Sequence, residues 1–588
     1  MFGRTAVLAL LGSICALAQS QSPSGSIRPL VLNKTEYRLH AGESTSIDTP
    51  RLKSISAVTT SPELRYPIRA SIGFEGQTIK LSVPPTTPTG AYVVSFTALD
   101  SNGVTRAGSV RLAAEPLQLE PVPSVGTVPV ILLNGWQFTC DNTDSTIAAS
   151  TGTFGQLASQ LQGAGESVGF FNNCSYPDIS IESLAGQLGA LLDSLTYSDG
   201  TPILQFDVVA HSMGGLIARA YLAGLQGNGS LAPLVNPRVR KLILIATPNF
   251  GSFYAGNYSA VASLGTQSGE MIPGSAFLWN LGTWNQRGDD LRGVDALAII
   301  GNGGPWTSSW LFPTTIRPNA SDGVVSLTSA SIGFAVADPS RTRILPYCHT
   351  DQIQLDCPLP NQPSIANTTE APDTGAIVLS FLAGTSEWMS IGGTPTTDLY
   401  LSHDGGVYFG VETAADQYLS DLNQSSVYWG ATELNSGGAA DTVFYNEFVA
   451  GGGGSFQATS ASLNQITYGP VTVPAGYYST FRAKFSPAIS GVGPILASGP
   501  GWVVQSGGTI SINGVGFGSQ QCSGCQVIVA PSGSAGVYYS LPVSSWTNQA
   551  ITASFLPATL PNLAIPGLVT IYVELSSSAW DSIHCCPT

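Results

Sequence analysis

The sequence predicts a chain of several domains: a central α/β domain, with helices on both faces of a mainly parallel sheet, flanked by all-β sandwiches. Three observations lead there. At 588 residues the chain is too long for one hydrophobic core and suits roughly four domains. Between positions 130 and 382, short apolar strands alternate with segments whose apolar residues recur at helical spacing, as in a parallel sheet covered on both faces. On either side that spacing gives way to short alternating strands and turns, in a chain with 66 Gly and 39 Pro. A formal net charge of −15, with no basic patch, excludes a nucleic-acid partner.

Taken in order, the chain opens on Arg4, an apolar run from Ala6 to Leu11 and the A-x-A signal Ala16-Leu17-Ala18. Residues 1–18 therefore read as a signal peptide cleaved near Ala18, which makes the mature protein secreted, extracellular or associated with the cell surface. No later apolar run is long enough for a transmembrane segment. Residues 25–118 read as an immunoglobulin-like sandwich: Tyr92, Val94 and Phe96 alternate with Val93, Ser95 and Thr97, and Asn102-Gly103 supplies a hairpin turn before Val110 and Leu112. Glu120-Pro-Val-Pro-Ser-Val-Gly126 reads as a Pro-rich linker.

Residues 122–388 form the α/β domain. Strands are expected at 130–133, 167–171, 206–209, 242–245 and 297–300, and helices at 154–161, from 181 to 195, from 216 onward and at 376–382. A further β-rich domain follows at 389–486, with a flexible run at Gly451-Gly-Gly-Gly454. In 487–588, the segments 508–518, 543–552 and 569–573 resemble the IPT/TIG immunoglobulin-like fold, with Gly516 and Gly518 as turn glycines. No helix follows them to make a phosphate loop. Of nine cysteines, Cys15 leaves with the signal. The even remainder suits disulfides: Cys140 with Cys174, Cys348 with Cys357, and Cys522, Cys525, Cys585 and Cys586 among themselves. Adjacent ligands and export disfavour zinc at the last four.

The organising stretch is LQFDVVAHSMGGLIARAYL, residues 204–222. Phe206, Val208 and Val209 make a strand, and Leu216, Ile217, Ala220 and Tyr221 recur at helical spacing, so Ser212 sits at the apex of a tight turn. Small residues at 210 and 214 let strand and helix backbones approach, and the turn exposes the Ser212 hydroxyl at a helix N-terminus, where backbone N–H groups can receive negative charge. The segment resembles the Gly-x-Ser-x-Gly elbow of the α/β-hydrolase superfamily, with Ala210 in place of the first Gly. More narrowly it is similar to secreted lipases and their acyltransferase and deacylase relatives. That resemblance covers about residues 125–385.

It implies a triad in the chain order Ser, acid, His. Of five histidines, His40, His403 and His584 lie in β modules and His211 belongs to the elbow, where packing or hydrogen bonding is its expected role. His349 is left as the base. Ser321-Asp322-Gly-Val-Val325 resembles the segment on which secreted lipases carry the triad acid, so Asp322 is favoured over Asp295, Asp338 and Asp351. The oxyanion hole is expected from the N–H of Met213 and that of Trp136, with Gln137 the alternative, although Asn134 departs from the His-Gly pattern of many lipases. Residues 245–252 and 272–278 resemble further lipase segments, and 253–293 is expected to cap an acyl pocket. No cofactor or metal is called for: Ca²⁺ helps some lipases, but no ligand loop for it is recognisable here.

The expectation is a secreted serine hydrolase acting on carboxylic esters, an esterase of triacylglycerol lipase type with an ester or lipid substrate. Alternatives on the same triad are an acyltransferase, a phospholipase or a polyester depolymerase. An alternative of another class is a non-catalytic adhesion or carbohydrate-binding protein. In either case the β modules suit attachment to a polymer or cell surface.

Overall fold

The computed structural model describes residues 27–137 apart from 74 and 75, then 146–252, 265–282, 291–303, 321–331, 341–350, 364–366 and 371–395. It also describes the strands Pro305–Trp306 and Arg317–Ala320 and most strands between 404 and 585. The expected signal peptide lies outside these residues.

The α/β region is built on six strands: β1 (Val130–Leu133), β2 (Val168–Phe171), β3 (Phe206–His211), β4 (Val239–Ile245), β5 (Asp295–Gly301) and β6 (Thr342–Leu345). All pair in parallel, in the order β2-β1-β3-β4-β5-β6. The helices are α1 (Thr151–Phe154), α2 (Leu157–Gly163), α3 (Ile181–Ser194), α4 (Met213–Ala223), α5 (Thr266–Glu270), α6 (Ala276–Gly282), α7 (Leu327–Ala330) and α8 (Pro372–Ala383). On one face Val130, Leu132, Val209, Ile243 and Leu297 join Phe154, Leu157 and Leu161 with Ile377, Val378 and Phe381 in one core. The intervening strand residues are equally buried, and α3 and α4 pack against each other over that side. Burial on both faces explains why these strands read as apolar runs rather than alternations.

Strand order reverses between β1 and β3, since β2 lies outside β1 while later strands continue beyond β3. A crevice opens at the carboxyl ends of strands at such a point. Residues 134–137 and Ser212 leave β1 and β3 at that end.

Four expectations need correction. The helix expected over 154–161 is two helices, because Gly155 adopts φ 54°, ψ −123° and ends α1. Glu120, in the expected Pro-rich linker, pairs antiparallel with Val168 at the sheet edge, each donating its N–H to the other's carbonyl at 3.0 and 2.9 Å. Strand β6 was not expected, since Thr342-Arg343 breaks its apolar run. The buried Arg343 guanidinium is accommodated by the carbonyls of Ile391 and Gly392 at 2.7 and 2.6 Å. Finally, Gly452–Ala458 is a strand, not a flexible run. Its glycines pair with 471–473, and a Cβ on Gly454 would stand 2.7 Å from the Trp429 ring, so the glycine admits the indole.

The described residues of 27–39, 44–83 and 89–115 form a separate compact unit. Its two sheets share a core that includes Ile47, Ile79, Leu81, Tyr92, Val94, Phe96 and Leu112. The hairpin at Asn102-Gly103 is present: Gly90–Asp100 pairs with Thr105–Glu115 around Gly103 at φ 77°. Beyond the α/β region, strands between Asp404 and Phe485 make a seven-stranded sheet. Two four-stranded sheets from Ala488 onward enclose Ile510, Ile512, Val527, Ile551 and Ile571. Gly516 and Gly518 lie outside the described residues.

Candidate active site

Every residue of β3 is buried, and the chain turns from it into α4 through Ser212 at φ 55°, ψ −126°. That backbone is strained for a residue with a Cβ, and the packing on both sides enforces it. A Cβ on Gly214 would stand 2.7 Å from the Leu133 carbonyl oxygen, and one on Gly215 would overlap the Thr247 hydroxyl. The need for a small residue at 214 is therefore physical contact between the elbow and the end of β1. Met213 is the first residue of α4.

Ser212 and His349, 137 positions apart, and Asp322, 27 positions before His349, form one hydrogen-bonded line. His349 Nε2 is 3.0 Å from Ser212 Oγ, and His349 Nδ1 is 2.7 Å from Asp322 Oδ2. An ionised carboxylate only accepts, so Nδ1 carries the proton and Nε2 accepts from the serine hydroxyl. All three are buried, at 8%, 5% and 2% exposure in the order Ser212, His349, Asp322. Asp322 Oδ1 accepts from the N–H groups of Val324 at 2.9 Å and Val325 at 2.7 Å. Its carbonyl accepts the His349 N–H at 2.9 Å, and Ser364 Oγ donates to the His349 carbonyl at 3.0 Å. Acid and base are thus fixed by main chain as well as by each other. This arrangement can deprotonate Ser212 Oγ and return the proton to a leaving group.

The loop after β1 reaches the same place. A Cβ on Gly135 would stand 2.7 Å from Ser212 Cβ, so the Gly135 backbone lies against the serine, followed by the half-buried Trp136 and Gln137. Asn172 and Asn173, not among the expected site residues, hold this loop through Asn134 and Gly135. Asn134 donates from Nδ2 to Asn172 Oδ1 at 3.0 Å and accepts the Asn173 N–H at 2.9 Å. Asn173 Nδ2 donates to the carbonyls of Asn134 and Gly135 at 3.1 and 2.8 Å. The departure at Asn134 thus has a role in this chain: its amide closes a buried network with the end of β2. An Asn-Asn pair after a buried strand was the available signal.

The other candidates stand elsewhere. Asp295 begins β5, at the end of the sheet away from Ser212. His40 lies on Glu36–His40 with Nδ1 2.8 Å from the Pro116 carbonyl, and His584 lies on the strand Ala579–Cys585. His403, Asp338 and Asp351 are outside the described residues. His211 packs its ring on that of His349, and burial, then the neighbouring His349, holds its pKa well below the usual histidine range. Of the expected cap at 253–293, residues 265–282 and 291–293 are described: Phe277, Leu278, Trp279 and Leu281 of α6 are buried. Cys174, Cys348 and Cys525 are disulfide-bonded. The cysteines expected to pair with Cys174 and Cys348 lie outside the described residues. Among the described residues, no group of three or more His, Cys, Asp or Glu could hold a metal ion, and no helix is long and apolar enough to cross a membrane.

A family model for class 2 lipases matches residues 196–290, a stretch that contains Ser212 but neither Asp322 nor His349. The match and the parallel sheet together support a lipase-like hydrolase of α/β type in general. No curated protein matches the chain. Among solved structures, the chain is similar to phospholipase PlaB from Legionella pneumophila, at 13% identity and a TM-score of 0.40 over 61% of this chain and 93% of that one. It is also similar to CopC from Methylosinus trichosporium OB3b, at 21% identity and 0.13 over 15% and 93%. A carbohydrate-binding protein of Bacteroides uniformis gives 10% identity and 0.13 over 31% and 99%. Likenesses of this size carry no argument about activity.

Proposed function

We propose that the chain is a secreted serine hydrolase of carboxylic esters, of triacylglycerol lipase type, working through an acyl-enzyme. The observation that carries the reading is the buried line from Asp322 through His349 to Ser212. Ser212 Oγ attacks the ester carbonyl carbon as its proton passes to His349 Nε2. Asp322, held by the N–H groups of Val324 and Val325, keeps Nδ1 protonated and faces the transient imidazolium. The tetrahedral oxyanion is received by the N–H of Met213 and that of Trp136. The alcohol leaves with the proton from Nε2; water then attacks the acyl-enzyme, gives a proton to Nε2, and the acid departs as Ser212 regains its hydrogen.

Transfer to another acceptor, or cleavage of a phospholipid or polyester, would use the same residues; the cap and not the triad selects among them. The flanking β units, read as immunoglobulin-like at 25–118 and IPT/TIG-like at 487–588, suit attachment to a polymer or cell surface and so raise substrate concentration locally. The test is hydrolysis of p-nitrophenyl esters from acetate to palmitate by the wild type and by Ser212→Ala, with and without a lipid interface. Turnover by the wild type alone supports the reading, and the preferred chain length measures the pocket. Equal silence from both discards ester hydrolysis and turns attention to binding of polymers and glycans.

A further inference from the structure

The segment Thr247-Pro-Asn-Phe-Gly-Ser252 leaves β4 between the elbow helix and the segment that carries Asp322, and it is bonded to both. On one side Arg219, at 1% exposure in α4, donates from Nη1 to the Asn249 carbonyl at 2.9 Å and to Asn249 Oδ1 at 3.2 Å. A buried guanidinium is costly unless it is hydrogen-bonded. On the other side Asn249 donates from Nδ2 to the carbonyls of Ala330 at 3.2 Å and Ser331 at 3.4 Å, and from its N–H to the Ser329 carbonyl at 3.0 Å. The amide can face only one way: reversed, it would set donors against Arg219 and an oxygen against two carbonyls.

The contact continues toward the carboxylate. Ser329 Oγ accepts the Phe250 N–H at 3.1 Å and donates to the Gly251 carbonyl at 2.8 Å. Ser252 Oγ donates to the Val324 carbonyl at 2.5 Å, and the Val324 N–H is one of the two that hold Asp322 Oδ1. The Asp322 segment is thereby fastened at Val324 and at Ser329–Ser331 to residues 249–252, and through Arg219 to α4, whose N-cap is Ser212.

We propose that Arg219 and Asn249 are positioning residues, which through Ser329–Ser331 and through Ser252 and Val324 fix Asp322 at its distance from the elbow. The inference rests on the ester-hydrolase reading for its catalytic consequence, and on geometry alone for the link. A displacement of about 1 Å far from the chemistry can cost about 10²-fold in rate. A buried polar network bonded on both sides is the kind of structure that prevents it.

The test uses the full-length protein with Asn249→Asp and Ser252→Ala. The first keeps the acceptor for Arg219 and loses the two side-chain donations to Ala330 and Ser331; the second deletes one hydroxyl. For Asn249→Asp, amide exchange over 321–331 should quicken about tenfold while 206–223 keeps its protection. With p-nitrophenyl butyrate, kcat should fall about 10–100-fold with KM within about threefold, the mark of lost transition-state alignment. Ser252→Ala should move both in the same direction by less, about 3–10-fold in kcat. Unchanged exchange over 321–331 in both variants overturns the link. Quickened exchange with full kcat overturns the positioning role, and so does loosening spread equally over 206–223. Localised loosening in a protein whose wild type hydrolyses no ester keeps the link and discards the ester reading.

Discussion

The imidazoles of His211 and His349 lie with ring centres 4.8 Å apart and planes tilted by 45°. His211 precedes the serine in sequence, yet its ring meets the base and not the hydroxyl. Burial and the neighbouring His349 keep it neutral well below the usual histidine range. His211→Phe, which preserves a ring in contact, should leave kcat within about threefold and the number of ionisations on the acid limb of the pH–rate profile unchanged. His211→Ala, which removes the support, should lower kcat by roughly tenfold. Steady-state profiles of the two variants decide this.

Asp322→Asn has an orientation dictated by the backbone. The N–H groups of Val324 and Val325 require an acceptor at Oδ1, so the amide of the variant turns its NH₂ toward His349. Nδ1 must then accept, which moves the ring proton to Nε2 and leaves no base for Ser212. We expect kcat to fall by about 10⁴-fold with KM little changed.

Gly135 has no room for a methyl group. Its Cβ would lie 2.7 Å from Ser212 Cβ and 3.2 Å from both Ser212 Oγ and His211 Nδ1. Gly135→Ala should push the loop from the elbow and lower kcat by about 10–100-fold, while a fluorophosphonate labels Ser212 more slowly. Wild-type labelling kinetics would show that the loop can shift without consequence.

Glu270 and Asp178 each accept a backbone N–H at the start of a helix. Glu270 Oε2 accepts the N–H of Ile181 at 2.7 Å, at the start of α3, and Asp178 Oδ2 accepts that of Thr266 at 2.6 Å, at the start of α5. Burial first, with Glu182 and Asp178 adding to it, pushes the Glu270 carboxyl from 4.5 up to about 8. Between those values the folded chain keeps a proton that the unfolded chain has lost. Stability therefore falls as pH rises across that window and levels off above it. Glu270→Gln cannot ionise and still offers an acceptor to Ile181. It should melt close to wild type near about pH 5 and roughly 2–4 °C higher near about pH 8.5. An equal melting difference at both pH values would contradict this.

The sequence by itself determined five of the six strands of the parallel sheet and the elbow at Ser212, and it singled out His349, which lies hydrogen-bonded to Ser212, and Asp322, which lies hydrogen-bonded to His349. Strand runs, the elbow turn and the amphipathic helix are written within a few consecutive residues, so their signals are local. The tertiary structure alone decided how the site is held. Asn134 with Asn173, Arg219 with Asn249 and Arg343 with Ile391 are partners 39, 30 and 48 positions apart, and no residue near either member in sequence announces the other. The same holds for Gly452–Ala458, where a glycine run that suggests looseness instead admits the Trp429 ring. What a polar residue or a glycine does depends on which atoms fill the space beside it, and chain folding, not sequence neighbourhood, supplies those atoms.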